Sequence, residues 1–189
     1  MVGSGTRYFI AFFVALGLLF LVIFLLFHSG TNKPKTPTTR SLVSYATTDA
    51  QVSLSIDGPV NADQSHQQVL VTVNSQDVTF EQLQGYDGSV VYSQSFANTE
   101  NAYAAFLQAL AHAGFALGNN SPTAKDERGY CPLGERYVFQ LQQDSQTLER
   151  YWTTSCGGKL KTYLGFQALT IELFQNQVPN YRGLTKTVL

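Results

Sequence analysis

Residues 131–156 read CPLGERYVFQLQQDSQTLERYWTTSC, and this stretch decides the fold. Tyr137, Phe139 and Leu141 occupy every second position, the period of a strand with one buried face. A less regular apolar set follows at Leu148, Tyr151 and Trp152, and 142–146 supplies the turn. The spacing predicts a β-hairpin. With its turn at Asp144-Ser145, Cys131 and Cys156 lie nearly opposite at the open end, and a one-residue bulge or a longer turn brings them into register. A disulfide there closes a loop of about 25 residues and contributes about 3–4 kcal/mol in the chain-entropy account. Two unpaired buried thiols are the alternative. A zinc site needs four ligands, and His28, His66 and His112 stand far from either cysteine in sequence, so no metal and no cofactor is expected.

Upstream, the same alternation recurs. Val52, Leu54 and Ile56 end at Asp57-Gly58-Pro59; Val69, Val71 and Val73 end at a polar turn; Val78 and Phe80 end at Gly85-Tyr86-Asp87-Gly88; Val90-Val91-Tyr92 follows. These four short strands predict an antiparallel meander. Helical periodicity takes over at Tyr103, Phe106, Leu107, Leu110 and Ala111. Asn98 or Thr99 is the expected cap, and Gly114 suits the left-handed position after the helix, with Phe115 touching Leu110. A second helix is expected over 165–177, with Phe166, Leu169, Leu173 and Phe174 on its buried face and Pro179 stopping it. The order is meander, helix, disulfide-linked hairpin, C-terminal helix: an α+β domain with helices on one face of an antiparallel sheet.

Before this domain, 8–27 reads YFIAFFVALGLLFLVIFLLF, twenty residues without charge, amide or proline. A helix of that length is about 30 Å long and matches the hydrocarbon core of a bilayer. The apolar run is longer than a signal peptide's, and no A-x-A sequence follows it, so an uncleaved signal anchor is expected. The organisation is then a tail over 1–7, a single transmembrane helix over 8–27, a Pro/Thr linker over 28–44 and a domain over 45–189. Flanking charge (Arg7 before the span; Lys33, Lys35 and Arg40 after it) places the domain inside. A cysteine pair in matched positions places it in an oxidising compartment. The cysteines are followed here, so the domain is expected to be extracytoplasmic, in the cell envelope.

The charges are uneven. Between 41 and 124 there are seven acidic residues and no Lys or Arg; from 125 onward there are eight basic and six acidic residues. No basic face is dense enough for nucleic acid. The acidic stretch is read either as charge that keeps the meander soluble or as an acidic face for a basic partner, with Tyr86, Asp87 and Tyr92 as the candidate binding residues. Ser155-Cys156-Gly157-Gly158 resembles the glycine-rich nucleophile turn of chymotrypsin-like cysteine proteases, and His66, Asp87 and Cys156 stand in the His-Asp-nucleophile order of that class. Thr154-Ser155 replaces the usual Gly-Asp, the helices do not suit a double barrel, and a disulfide removes the thiolate. No catalytic residue is therefore assigned. His112 is expected to complement a helix C-terminus, and His66 to be solvated loop.

The segments GYDGSVVYSQSFANTENAYAAFLQALAHAGF, DERGYCPLGERYVFQL, RYWTTSCGG and LFQNQVPNY together resemble a family of uncharacterised bacterial membrane-anchored proteins, each one anchor helix plus one small extracytoplasmic domain. The element order and the C…Y-x-F…C-G hairpin are also distantly similar to emfourin-type protease-inhibitor domains. The resemblance brings no known activity; the expected function is that of a non-enzymatic, single-pass envelope protein whose external domain binds a protein or cell-wall partner. A membrane-tethered protease inhibitor acting through the loop 119–130, and a hydrolase using Cys156, are the alternatives.

Overall fold

Val52, Leu54 and Ile56 put three branched side chains on one side of an extended chain, a pattern that a pleated strand buries and a helix scatters. In the computed structural model, which describes residues 16–18, 21, 41–119, 124 and 126–186, they form the buried side of β1 (Gln51–Asp57). With β2 (Gln67–Val73), β3 (Asp77–Gln84), β4 (Ser89–Ala97), β5 (Arg136–Gln143) and β6 (Gln146–Thr154) it makes one antiparallel sheet ordered β4-β3-β2-β1-β5-β6. The meander is as expected, with β3 and β4 longer than their apolar cores suggest. The hairpin β5–β6 returns beside β1, so β1 is central: Leu54 lies between Val71 and Phe139. The fold is α+β.

Gln143 faces Gln146 across Asp144-Ser145, both of which have positive φ, the backbone a two-residue hairpin turn requires. Leu148 is then an extra residue in β6, because Leu141 pairs with Glu149 and Gln142 with Thr147. The bulge leaves Arg136 opposite Thr154 and does not bring the cysteines into register. A turn does so. Gly134 N–H donates to the Cys131 carbonyl at 3.1 Å, folding Cys131 back over the hairpin end. The Cys131–Cys156 disulfide closes there with Cα atoms 5.7 Å apart. A Cβ at position 134 would stand 2.6 Å from Cys131 Sγ and 2.5 Å from Ser155 Oγ, so the turn needs glycine.

Helix α1 (Glu100–His112) starts where Thr99 Oγ1 accepts from Ala102 N–H at 3.2 Å, and it buries Tyr103, Phe106, Leu107 and Leu110. Its end has paired hydrogen bonds, Phe115 N–H to Leu110 O (3.0 Å) and Gly114 N–H to Ala111 O (3.1 Å), with Gly114 left-handed. Phe115 thereby turns into the core between Phe139 and Phe174. The 3-10 turn Leu42–Tyr45 covers the same core with Leu42.

The second helix departs from expectation. Helix α2 spans Gln167–Gln175, and Phe166 and Leu169 are 69% and 45% exposed; its fully buried positions are Thr170 and Phe174. A hydrogen bond of 2.6 Å between the Tyr163 and Thr170 hydroxyls sets that rotation, and Phe174 meets Phe106 edge to face. After Pro179, Asn180 adopts positive φ and a short helix α3 (Tyr181–Thr185) lays Tyr181 on Phe80.

The face opposite the helices is closed locally. Val138 and Trp152, paired across β5 and β6, form a second cluster with Ala124 and Tyr130. The Trp152 indole N–H donates to Ala124 O at 2.5 Å, and Tyr130 stacks on the indole. Trp152 N–H also donates to Thr162 Oγ1, while Thr162 and Tyr163 N–H both return to Trp152 O. Tyr163 bridges Gly118.

The anchor expected at 8–27 lies outside the described residues except for Leu16, Gly17, Leu18 and Leu21, which are helical. Among the described residues no helix is long and apolar enough to cross a membrane.

Two predictions follow from the packing of aromatic rings. A Cβ at position 118 would sit 2.0 Å from the Tyr151 ring, so Gly118→Ala should cost about 1–3 kcal/mol in urea unfolding. An unchanged midpoint would contradict the ring placement. Burial also raises the phenols of Tyr103, Tyr137 and Tyr163, and pushes Tyr181 up to about 12. Above pH 10 the unfolded chain releases phenolic protons that the folded chain retains. Stability from these groups is thus complete below about pH 10 and falls as pH rises towards 12. The urea midpoint should hold to about pH 10 and then drop, with phenolate absorbance appearing together with unfolding.

Candidate functional site

The strand β4 and the turn before it carry all three candidate binding residues. Ser89–Ala97 reads SVVYSQSFA, nine residues with no charge and no proline, and Val90, Val91 and Tyr92 are exposed. Among the described residues only β3 pairs with it. Gln82 faces Tyr92 and Leu83 faces Val90, so Val91 is an extra residue that bulges the strand. The Tyr92 ring meets Phe80 edge to face, and its hydroxyl donates to Gln94 Oε1 at 2.8 Å.

Tyr86 and Asp87 share the β3–β4 turn, where Gly85 and Gly88 both have positive φ. Neither side chain is idle. Asp87 accepts from Ser89 Oγ at 2.9 Å. Tyr86 is 54% exposed, yet its hydroxyl donates to Asn61 O (2.9 Å) and accepts from Asn61 N–H (3.2 Å), and its own N–H donates to Asp63 Oδ1. Its ring lies flat on His66, centroids 4.1 Å apart.

His66 corrects an expectation: it is buried, not solvated. One ring nitrogen is 2.7 Å from Asp57 Oδ1 and the other 3.2 Å from the Pro59 carbonyl. Both partners only accept, so both hydrogen bonds exist only when each nitrogen carries a proton. Arg136, also buried, donates from Nε to Asp57 Oδ2 (2.6 Å) and from Nη2 to the Gly58 carbonyl (2.8 Å). Asp57 is thus shared by two buried cation-forming side chains. Sequence reasoning did not find this set, because its members come from β1, the end of a 3-10 turn at Asp63–Ser65, the β3–β4 turn and β5, with no common motif.

His66 pairs with Asp57 and not with Asp87, and Cys156 has no thiol, so the triad read from sequence order is not assembled. His112 is exposed in the last turn of α1. Of the loop 119–130, Ala124 and Tyr130 are spent on covering Trp152, and Glu127 accepts from Arg150 at 2.5 Å. An open cleft of about 310 Å³ lies where Ile171 and Gln175 of α2 and Tyr181 and Arg182 of α3 meet Glu135 and Tyr137, and the Tyr137 hydroxyl is bonded to Glu135. No cluster of three His, Cys, Asp or Glu side chains suited to a metal occurs among the described residues. No family model, curated protein or solved structure matches the chain.

Asp57→Asn would leave Arg136 buried without its counter-charge, and should cost about 3 kcal/mol in urea unfolding. A cost below about 0.5 kcal/mol would contradict the shared carboxylate. Thiol titration of the folded, unreduced chain should find no reactive group, and the double variant Cys131→Ser/Cys156→Ser should lose about 3–4 kcal/mol of stability.

Proposed function

We propose that the chain is a non-enzymatic, single-pass envelope protein whose extracytoplasmic domain binds a protein partner by taking an extended segment of it onto the edge of β4. The observation that carries this reading is the edge itself. Natural edge strands are blunted by lysines, prolines, covering loops or brevity; β4 has nine residues, no charge, no proline, and among the described residues a bulge as its one guard. Strand addition draws affinity from main-chain hydrogen bonds and specificity from side chains along the edge, here the exposed Val90, Val91 and Tyr92, which the bulge distributes over both faces. The acidic residues of 41–124 favour a basic segment over an acidic one.

A tethered protease inhibitor is the second reading. Its best support is the disulfide-closed turn, where Leu133 is 89% exposed. The loop 119–130 serves it less well, since Ala124 and Tyr130 pack inward.

Affinity capture with the full chain and with the variant Val91→Lys/Ser93→Lys distinguishes these readings. Loss of the captured protein from the edge variant, with Leu133→Asp retaining it, supports strand addition. The reverse pattern supports the inhibitor. Labelling of an added surface cysteine by an impermeant maleimide in intact cells is expected; labelling only after lysis would overturn the extracytoplasmic location.

A further inference from the structure

At the far side of the sheet from β4, two irregular segments run together outside β6. Leu164 N–H donates to Leu117 O at 2.8 Å, Asn119 N–H to Thr162 O at 2.9 Å, and Phe166 N–H to Ala113 O at 2.8 Å. Gly118 and Tyr163 form the bridge between them, with Tyr163 buried. Residues flanking a bridge point to the opposite side from it, so Leu117 and Leu164 lie side by side facing out. They are 57% and 54% exposed. Phe166, two positions on, and Leu169, one helical turn later, continue the apolar surface, and the exposed Leu160 precedes it.

This surface is held rigidly. A Cβ at Gly165 would stand 2.4 Å from Gly114 O, so the two backbones are in direct contact. Its charge is of one sign. Residues 113–119 and 155–171 contain Lys159 and Lys161 and no carboxylate; the first acidic residue beyond is Glu172, a turn past Leu169.

We infer that this face, built on Leu117, Leu164, Phe166 and Leu169 with Lys159 and Lys161, docks the domain on an anionic lipid surface. Aromatic and leucine side chains beside lysines suit the boundary between acyl chains and headgroups, and the lysines complement anionic lipid. Four apolar side chains and two lysines bind a bilayer weakly on their own. The inference therefore rests on the anchor reading of 8–27. The thirteen residues 28–40 reach at most about 45 Å, which converts a weak bimolecular contact into an intramolecular one.

The test uses the full chain reconstituted into vesicles of phosphatidylcholine, with or without phosphatidylglycerol, doped with a shallow spin-labelled lipid that quenches indole. A tryptophan reporter is introduced by Leu164→Trp, with Phe166→Trp as a second reporter at an exposed position. Val91→Trp, about 24 Å away across the sheet, is the control. Native Trp152 supplies a constant background, being fully buried. Quenching of the Leu164→Trp and Phe166→Trp reporters in phosphatidylglycerol vesicles, with the Val91→Trp control unquenched, is the expected result. Adding Lys159→Gln/Lys161→Gln should lower the docking equilibrium about 25-fold, about fivefold per lysine. Reporters that are unquenched in a chain resisting alkaline extraction overturn the docking face. Reporters shifted to the blue without lipid quenching overturn it as well, and assign the surface to a second protein copy. Removal of the chain from vesicles by alkali overturns the anchor reading itself.

Discussion

One sheet with helices on a single face leaves three surfaces to be settled by other means: the bare face and two edges. Every unpaired backbone group on an edge and every apolar side chain on the bare face must find water or a partner. Each is settled differently in this chain. On the bare face, Val138 and Trp152 are covered by Ala124 and Tyr130. The β6 edge is met at Trp152 by Thr162 and Tyr163. The β4 edge is left open among the described residues, and the exposed apolar residues Val90, Val91 and Tyr92 stand on it.

The end of the sheet nearest that edge is tied to the disulfide by a run of contacts. Val60 N–H donates to Pro132 O at 2.7 Å within the disulfide turn. The next residue, Asn61, holds Tyr86, Tyr86 covers His66, and His66 shares Asp57 with Arg136 at the start of β5. Two glycines with positive φ would leave the β3–β4 turn pliable. These contacts make Tyr86 a fixture of the turn, and its exposure is that of a lid rather than of a free side chain.

Much of the architecture was legible because it is local. Alternation at Val52, Leu54 and Ile56 needs only the pleat, and the Gly114–Phe115 ending of α1 needs only its own hydrogen bonds. What was not legible depends on partners distant in sequence. Phe166 and Leu169 have the spacing of a buried stripe, yet the Tyr163–Thr170 bond turns the helix to bury Thr170. Nothing around His66 announces Arg136, seventy residues away. The bulge at Leu148 runs opposite to the offset that the cysteines require, and the turn at Gly134 supplies the correction. Of the candidate site, Tyr86, Asp87 and Tyr92 fall on one sheet edge as their shared turn and strand suggest, but the structural duty of Tyr86 comes entirely from the loop at Asn61.

The central position of β1 also bears on the order in which the chain can fold. β1 pairs on one side with β2, ten residues downstream, and on the other with β5, whose Arg136 lies opposite Asp57. During N-to-C synthesis the meander can close early, but one edge of its central strand stays bare until the segment past Gln142 has emerged. Asp57 waits for its guanidinium over the same interval. The last hairpin is thus the closing piece of the sheet rather than an appendage, and a nascent domain truncated before it would expose the central strand β1 as an edge in addition to β4.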